Sequence, residues 1–303
     1  MPEAFGGFID YLRVERNASR YTVRNYGADL LGFFSFLRDE KIESLDDVDK
    51  NTLRDYLWQL MERGFARTSI ARKLSAVRSF YRYLQREDLV SVSPAASISS
   101  PKLDRRLPEF LSREESTRLV EAPDVTTPAG LRDRAFLELL YASGLRVSEL
   151  VSLNIGQVNL ESREIRVWGK GAKERIVLMG EPAARAVGAY LRDGRPRLVA
   201  GPTEAVFLNQ DGGRLTVRSV QSFVRAYAAL AGIEKDVHPH MVRHTFATHL
   251  LDGGADLRVV QELLGHASLS STQIYTHVSK SQARKVYMAA HPLAREESAE
   301  PNG

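Results

Sequence analysis

Over the first hundred residues apolar side chains recur at steps of three and four, the spacing that gathers them on one face of an α-helix. The pattern runs through GFIDYLRVE and then through residues 28–37, 53–61 and 70–84. Ser19 and Thr68 stand where N-caps are needed, and Gly64 stands where the third helix must stop. Four helices with short connections predict a small all-α domain over residues 1–90. The stretch that follows, SVSPAASISSPKLDRRLPEFLS, is rich in proline and serine around a basic KLDRR centre. It reads as an extended linker over residues 91–111.

Periodicity resumes at Ser112, which with Glu115 has the spacing of a capping box. A helix is expected over about 131–142, ended by Gly144. Period-two alternation is convincing only in EIRVWG and ERIVLM, which flank GKGAK. These two predict a β-hairpin, with Gly169 and Gly171 supplying the permissive backbone of its turn. Beyond Val217 the pattern is helical again, with segments starting near Val217, His240, Leu257 and Ser271 and another over 282–290. The expected fold is mainly α with one small β element, in two domains. The second domain spans 112–292, and 293–303 is a polar tail of the kind that frays.

Composition narrows the class without naming it. Of the 303 residues 43% are hydrophobic, enough for ordinary globular cores. No run of eighteen apolar residues predicts a membrane span. The N-terminus lacks the basic flank and apolar centre of a signal peptide. The absence of cysteine excludes disulfides, thiolate zinc sites and thiol nucleophiles, and fits a cytoplasmic location. A net charge of +4 says little about partners, but its distribution says more. From Arg63 to Arg86 the chain carries Arg63, Arg67, Arg72, Lys73, Arg78, Arg82 and Arg86 with no acid, interleaved with Tyr81 and Tyr83. A merely solvated helix face mixes in acids to form i,i+4 pairs, so this stripe points to a phosphate backbone.

Four of the seven histidines crowd into HPHMVRHTFATHL. A zinc-protease helix needs glutamate after its first histidine, where Met241 stands, and no third ligand is evident. No metal or other cofactor is expected. His240 and Arg243, three apart, share a helix face, where a guanidinium matches two phosphate oxygens and an imidazole moves a proton near neutral pH. Alone, this pair is equally compatible with two surface residues at a helix start. YASGLRVSEL adds Arg146 in a tight turn after Gly144, and LLGH adds His266 just past Gly265. LSSTQIYTHVS places Tyr275 among polar neighbours, although a core tyrosine is the plainer reading of that residue. Arg146, Lys170, His240, Arg243, His266 and Tyr275 then form a basic and phenolic set without carboxylates. His244 and His249 are expected to pack or cap the helix.

GLRVSEL, GKGAKER, HPHMVRHTFATHLL, LLGH and STQIYTHV occur in the order found in the tyrosine recombinases of the phage integrase family, which this sequence resembles over nearly its whole length. LLGHASLSSTQIYTHVS and VYMAAHP are similar to the Xer branch; Val242 and Ser271 replace its usual leucine and threonine without changing the chemical groups. The resemblance implies an N-terminal SAM-like core-binding domain and a C-terminal catalytic domain. It implies a metal-independent enzyme that breaks and rejoins DNA, with Tyr275 as nucleophile and a 3′-phosphotyrosyl intermediate. Arg146 and Arg243, helped by His266, would clamp the phosphate, and His240 would exchange the proton of Tyr275. Lys170 would protonate the leaving 5′-oxygen, with Lys173 as the competing lysine. Arg20, Thr22, Arg24, Arg72 and Arg78 would contact DNA. Ala283, Val286, Tyr287 and Ala290 form a helical stripe that would dock on a neighbouring subunit or pack on its own domain. The implied partners are double-stranded DNA, a tetramer on two duplexes with or without a paralogous recombinase, and a septal DNA translocase, with no membrane. Chromosome-dimer resolution, integration of a mobile element, type IB topoisomerase-like strand transfer and plain DNA binding remain open on this ground.

Overall fold

The computed structural model describes residues 2–100, 109–168, 174–265 and 280–292. Contacts divide the chain into two units, Met1–Leu107 and Pro108–Gly303.

In the first unit α1 (Pro2–Asp10) runs on into a π-helical turn, Tyr11–Glu15. It is followed by α2 (Arg20–Asp39), α3 (Lys50–Glu62) and α4 (Arg67–Arg86). Phe8, Leu30, Phe33, Leu37, Leu53, Val77 and Phe80 are sealed in the shared core. Each such side chain contributes about 1.5–3 kcal/mol by leaving water. The rings of Phe8 and Phe80 meet edge to face at 5.3 Å. Ser19 caps α2 by accepting the Thr22 N–H at 3.1 Å. Thr68, in contrast, is not a cap. Gly64 turns the chain at φ +74°, the Phe65 N–H bonds back to Leu60, and Ala66 stands in the cap position before α4 begins.

Residues 91–100 are not an open linker. Val90, Ala95 and Ile98 are buried in the core of the first unit. The Arg78 guanidinium holds the segment down, donating to the carbonyls of Ala95 (3.3 Å) and Ile98 and to Ser100 Oγ (2.8 Å). Three apolar anchors and one cation outweigh the local preference of serine and proline for an extended, solvated chain. The rest of the expected linker, 101–108, lies outside the described residues.

The second unit opens with α5 (Arg113–Glu121), capped reciprocally by Ser112 and Glu115. Next comes α6 (Pro128–Ser143), buried nearly all round, as a central helix must be. It stops at Gly144 (φ +58°), where an added Cβ would overlap the Phe246 ring. A short α7 (Val147–Ser152) leads to an antiparallel sheet of β1 (Val158–Asn159), β2 (Glu164–Trp168) and β3 (Glu174–Leu178) in that spatial order. Glu164 pairs with Leu178 and Trp168 with Glu174. The turn 169–173 lies outside the described residues.

Helices complete the unit: α8 (Glu181–Ala189), α9 (Arg195–Leu198), α10 (Val217–Leu230), α11 (Pro239–Asp252), α12 (Leu257–Leu264) and α13 (Lys280–Ala290). The helix expected near Ser271 and the tail 293–303 lie outside the described residues. Tyr287 and Ala290 are buried with Phe246, Leu250 and Val259, so this part of the α13 stripe packs on its own domain. The burial is close enough that Gly253, ending α11, has no room for a Cβ beside the Ala290 backbone. Among the described residues no helix is long and apolar enough to cross a membrane.

Candidate active site

The turn between α6 and α7 sets the first arginine. Gly144 ends α6 in the left-handed conformation that other residues adopt only under strain, and Arg146 becomes the N-cap of α7. Glu149, three residues on, reaches back as in a capping box and accepts the Arg146 N–H at 2.8 Å and its Nη1 at 3.0 Å. Arg175 from β3 meets the same carboxylate with two parallel bonds, Nη1 to Oε1 at 2.8 Å and Nη2 to Oε2 at 2.9 Å. Burial pushes the Glu149 carboxyl up, but the donors of Arg175 and the Arg146 N–H more than offset it, and the net shift is downward. Glu149 is therefore an anion at neutral pH.

Arg243 enters from α11 and is only 8% exposed. Its Nη2 donates to the Leu264 carbonyl at 2.7 Å, and its Nη1 to the carbonyl of Gly144. Burial, then repulsion from Arg146, lowers its pKa to about 10 against the opposing pull of Glu149. It stays charged at pH 7, and two carbonyls fix its plane. Arg146, with its side chain 38% exposed, presents the more open guanidinium.

His240 is exposed at the start of α11. Pro239 occupies the first turn, where its missing N–H costs nothing, and His238 caps the helix by accepting the Met241 N–H at 3.1 Å. His240, Arg243, His244, Leu257, Gln261 and Leu264 line one groove of about 330 Å³. His244 is exposed on its wall rather than packed in the core. His249 is buried, with Nδ1 2.8 Å from the Tyr141 hydroxyl. Among the described residues no group of three or more histidine, aspartate or glutamate side chains is placed to hold a metal ion.

Arg146, Arg243 and His240 are thus brought to one region, while Lys170, Lys173, His266 and Tyr275 lie outside the described residues. The expected set held no carboxylate; among the described residues Glu149 holds Arg146 and acts on the charge of Arg243. The Arg-x-x-Glu spacing of RVSE at a helix start was the signal for it. Arg175 was equally unforeseen, since a strand arginine carries no local mark of its partner.

In the first unit Arg20 and Arg24 are exposed at the start of α2 and share a cavity of about 630 Å³ with Phe5, Ile9, Arg13 and Val23. Arg24 lies over the Tyr21 ring, and the Thr22 hydroxyl bonds Ser19 Oγ at 2.9 Å. Arg72 is ion-paired with the buried Asp29, which also takes Lys73 at 3.2 Å, although its side chain is still 41% exposed. Arg78 donates to the Ala95 and Ile98 carbonyls and to Ser100 Oγ, and so braces residues 95–100.

Arg146 held by Glu149 and Arg243 held by the Gly144 and Leu264 carbonyls, in a mainly helical unit with one small sheet, go with a sequence match. Residues 109–282 fit the pattern of the phage integrase family, and residues 5–88 fit the phage integrase N-terminal SAM-like domain. The chain belongs to the phage integrase family. Within it the sequence is that of a tyrosine recombinase, a DNA breaking and rejoining enzyme akin to XerC and XerD. It is 47% identical to the tyrosine recombinase XerC of Pelotomaculum thermopropionicum, over 95% of this chain and 97% of that protein. It is 41% identical to XerD of Staphylococcus epidermidis, over 95% and 98%. The XerH site-specific recombinase, in a post-cleavage complex with a palindromic difH substrate, superposes with a TM-score of 0.69 at 26% identity, covering 91% of this chain and 78% of that one.

Proposed function

We propose that this recombinase acts at a dif-like site to resolve chromosome dimers at cell division, using Tyr275 as the nucleophile. The observation that carries the chemistry is the pairing of Arg146 and Arg243 across Glu149 and the Gly144 carbonyl. Two guanidiniums held in fixed planes are suited to the non-bridging oxygens of one phosphodiester.

A free phenol has a pKa near 10, so ionising Tyr275 at pH 7 costs about 4 kcal/mol. The cationic clamp lowers that cost, and His240 takes the phenolic proton. The tyrosyl oxygen bonds to phosphorus and the P–O5′ bond breaks with its electron pair on O5′. Lys170 gives that oxygen a proton and becomes neutral. Negative charge building on the phosphorane is met by Arg146 and Arg243, with His266 as a further donor, and each such donor is worth roughly 10²–10³ in rate. The phosphotyrosine keeps the energy of the phosphodiester. The 5′-hydroxyl of another strand can therefore reverse the step without ATP. Cationic side chains do here what a metal ion does elsewhere. The reading includes four protomers on two duplexes, a paralogous recombinase as partner, a septal translocase as activator, and a cytoplasmic setting.

The test uses nicked duplexes built on dif-like sequences, incubated in EDTA with the wild-type chain and with Tyr275→Phe, with and without a paralogue. A covalent adduct that survives SDS is expected with the wild type only, together with strand exchange between two duplexes. On a closed supercoiled plasmid carrying the same sequence, relaxation without exchange would point to topoisomerase-like action instead. Binding with no adduct under any pairing would reduce the protein to a DNA-binding module.

A further inference from the structure

Four donors close on the buried carboxylate of Glu149. Oε1 accepts Nη1 of Arg146 at 3.0 Å and Nη1 of Arg175 at 2.8 Å. Oε2 accepts the Arg146 N–H at 2.8 Å and Nη2 of Arg175 at 2.9 Å. A carboxylate has about four lone-pair sites, so this one is full. The two arginines share it unequally. Arg175 gives both terminal nitrogens to Glu149, with its side chain only 16% exposed. Arg146 gives one, and among the described residues its Nε and Nη2 have no hydrogen-bond partner.

The ion pair is not what joins the sheet to α7. Ile165, Val167 and Val177 already share one core with Val147 and Leu150. We infer that Arg175 is a positioning residue that fills Glu149, and so keeps Arg146 from closing on the carboxylate with both of its own terminal nitrogens. The inference rests on the reading of Arg146 as a phosphate clamp. Nη2 of Arg146 belongs to the same planar group as the Nη1 already bonded, and the two-point fork is the strong geometry for arginine and carboxylate. With the fork position taken by Arg175, Arg146 is held at one point and keeps Nε and Nη2 for a phosphate. Without Arg175 two lone-pair sites open beside Arg146, and Glu149 turns from its support into a competitor of the phosphate.

The experiment uses the sign of a second substitution. Single-turnover adduct formation is measured at pH 8 for the full chain and for Arg146→Ala, Arg175→Met, Arg175→Lys, Glu149→Gln and the Glu149→Gln/Arg175→Met pair, alongside melting temperature. Glutamine still accepts the Arg146 N–H, as in a capping box, but has no charge with which to capture the guanidinium. Lysine keeps the charge of Arg175 and loses its fork. Arg146→Ala should be slower by about 10²–10³-fold and Arg175→Met by about 10²-fold. Arg175→Lys should be slower by about tenfold, and adding Glu149→Gln to Arg175→Met should recover about tenfold. Glu149→Gln alone should bring no gain. Should Arg175→Met fail to fold, the same pairing is made on Arg175→Lys.

A paired variant no faster than Arg175→Met would overturn the inference and leave Arg175 a support of the fold. Arg175→Lys at the wild-type rate would overturn it too, because charge alone would then suffice. An equal gain from Glu149→Gln with and without Arg175 would show that Arg175 does not govern the competition. If Arg146→Ala cleaves like the wild type, the reading of Arg146 as a clamp fails and the inference fails with it.

Discussion

The Tyr141 hydroxyl and His249 Nδ1 lie 2.8 Å apart, both buried, and their bond ties α6 to α11, the helix that carries Arg243. Removing the hydroxyl leaves a buried ring nitrogen without its partner. Tyr141→Phe should cost about 1–3 kcal/mol of stability. Urea unfolding checks this; an unchanged midpoint would mean that the pair contributes nothing net.

Acid should loosen the same region. His291 is buried against Tyr141, Phe246 and Tyr287, with Nε2 3.2 Å from the Tyr141 carbonyl. Burial first, opposed by that carbonyl, brings its pKa down to about 3. The unfolded chain takes up this proton near pH 6.5, the folded chain only near 3. The stability is therefore complete above about pH 6.5 and declines as pH falls toward 3, by about 1.4 kcal/mol per pH unit. His249, lowered by burial and then by Arg113, acts in the same direction. Denaturation midpoints between pH 7 and 5 should fall in the wild type and fall less steeply in His291→Gln. Equal slopes would show that His291 is not the group responsible.

Gly144→Ala should damage both fold and chemistry. The left-handed backbone costs a non-glycine residue about 1–2 kcal/mol, and the new methyl meets the Phe246 ring. The same peptide holds Arg243, so adduct formation should fall further than the melting temperature alone explains. A variant that melts early but cleaves at the wild-type rate would separate the turn from the clamp.

DNA affinity should fall steeply with salt, since each neutralised phosphate contributes about 0.9 to the logarithmic slope. Arg20→Ala and Arg24→Ala should each lower the slope by about one, as exposed side chains in contact with phosphate would. Arg78→Ala should leave the slope unchanged and destabilise the first unit, because its donors close onto residues 95–100. A flat salt response in the wild type would remove the basic face from DNA binding.

These relationships were unevenly legible in the sequence. The helices of the first unit could be read because each keeps a long stripe, such as Leu30, Phe33 and Leu37 on α2, facing one core. Gly64 and Gly144 marked stops because the chain needs φ above zero there. At two residues β1 is too short to show alternation, and α7 at six is too short to show a helical period. The six catalytic candidates became a set through motif order, not through periodicity. Glu149 went unread because its role depends on two arginines, one of them 26 positions away in sequence on another element. The bonds of Arg78 to residues 95–100 were hidden for a related reason: a cation that closes a fold and one that faces a phosphate look alike until its acceptors are known.

The cluster around Glu149 also has an ionic count. Arg146, Arg175 and Arg243 stand against one carboxylate, a surplus of two positive charges among the described residues. A phosphodiester arriving in the proposed reaction brings one negative charge and leaves the site uncompensated. Attack by the phenolate, whose proton has passed to His240, raises the charge carried by the phosphorus oxygens to two, the surplus of this arginine–carboxylate cluster. The site is therefore better matched to the state being crossed than to the DNA it first receives, which is the direction in which binding energy raises a rate.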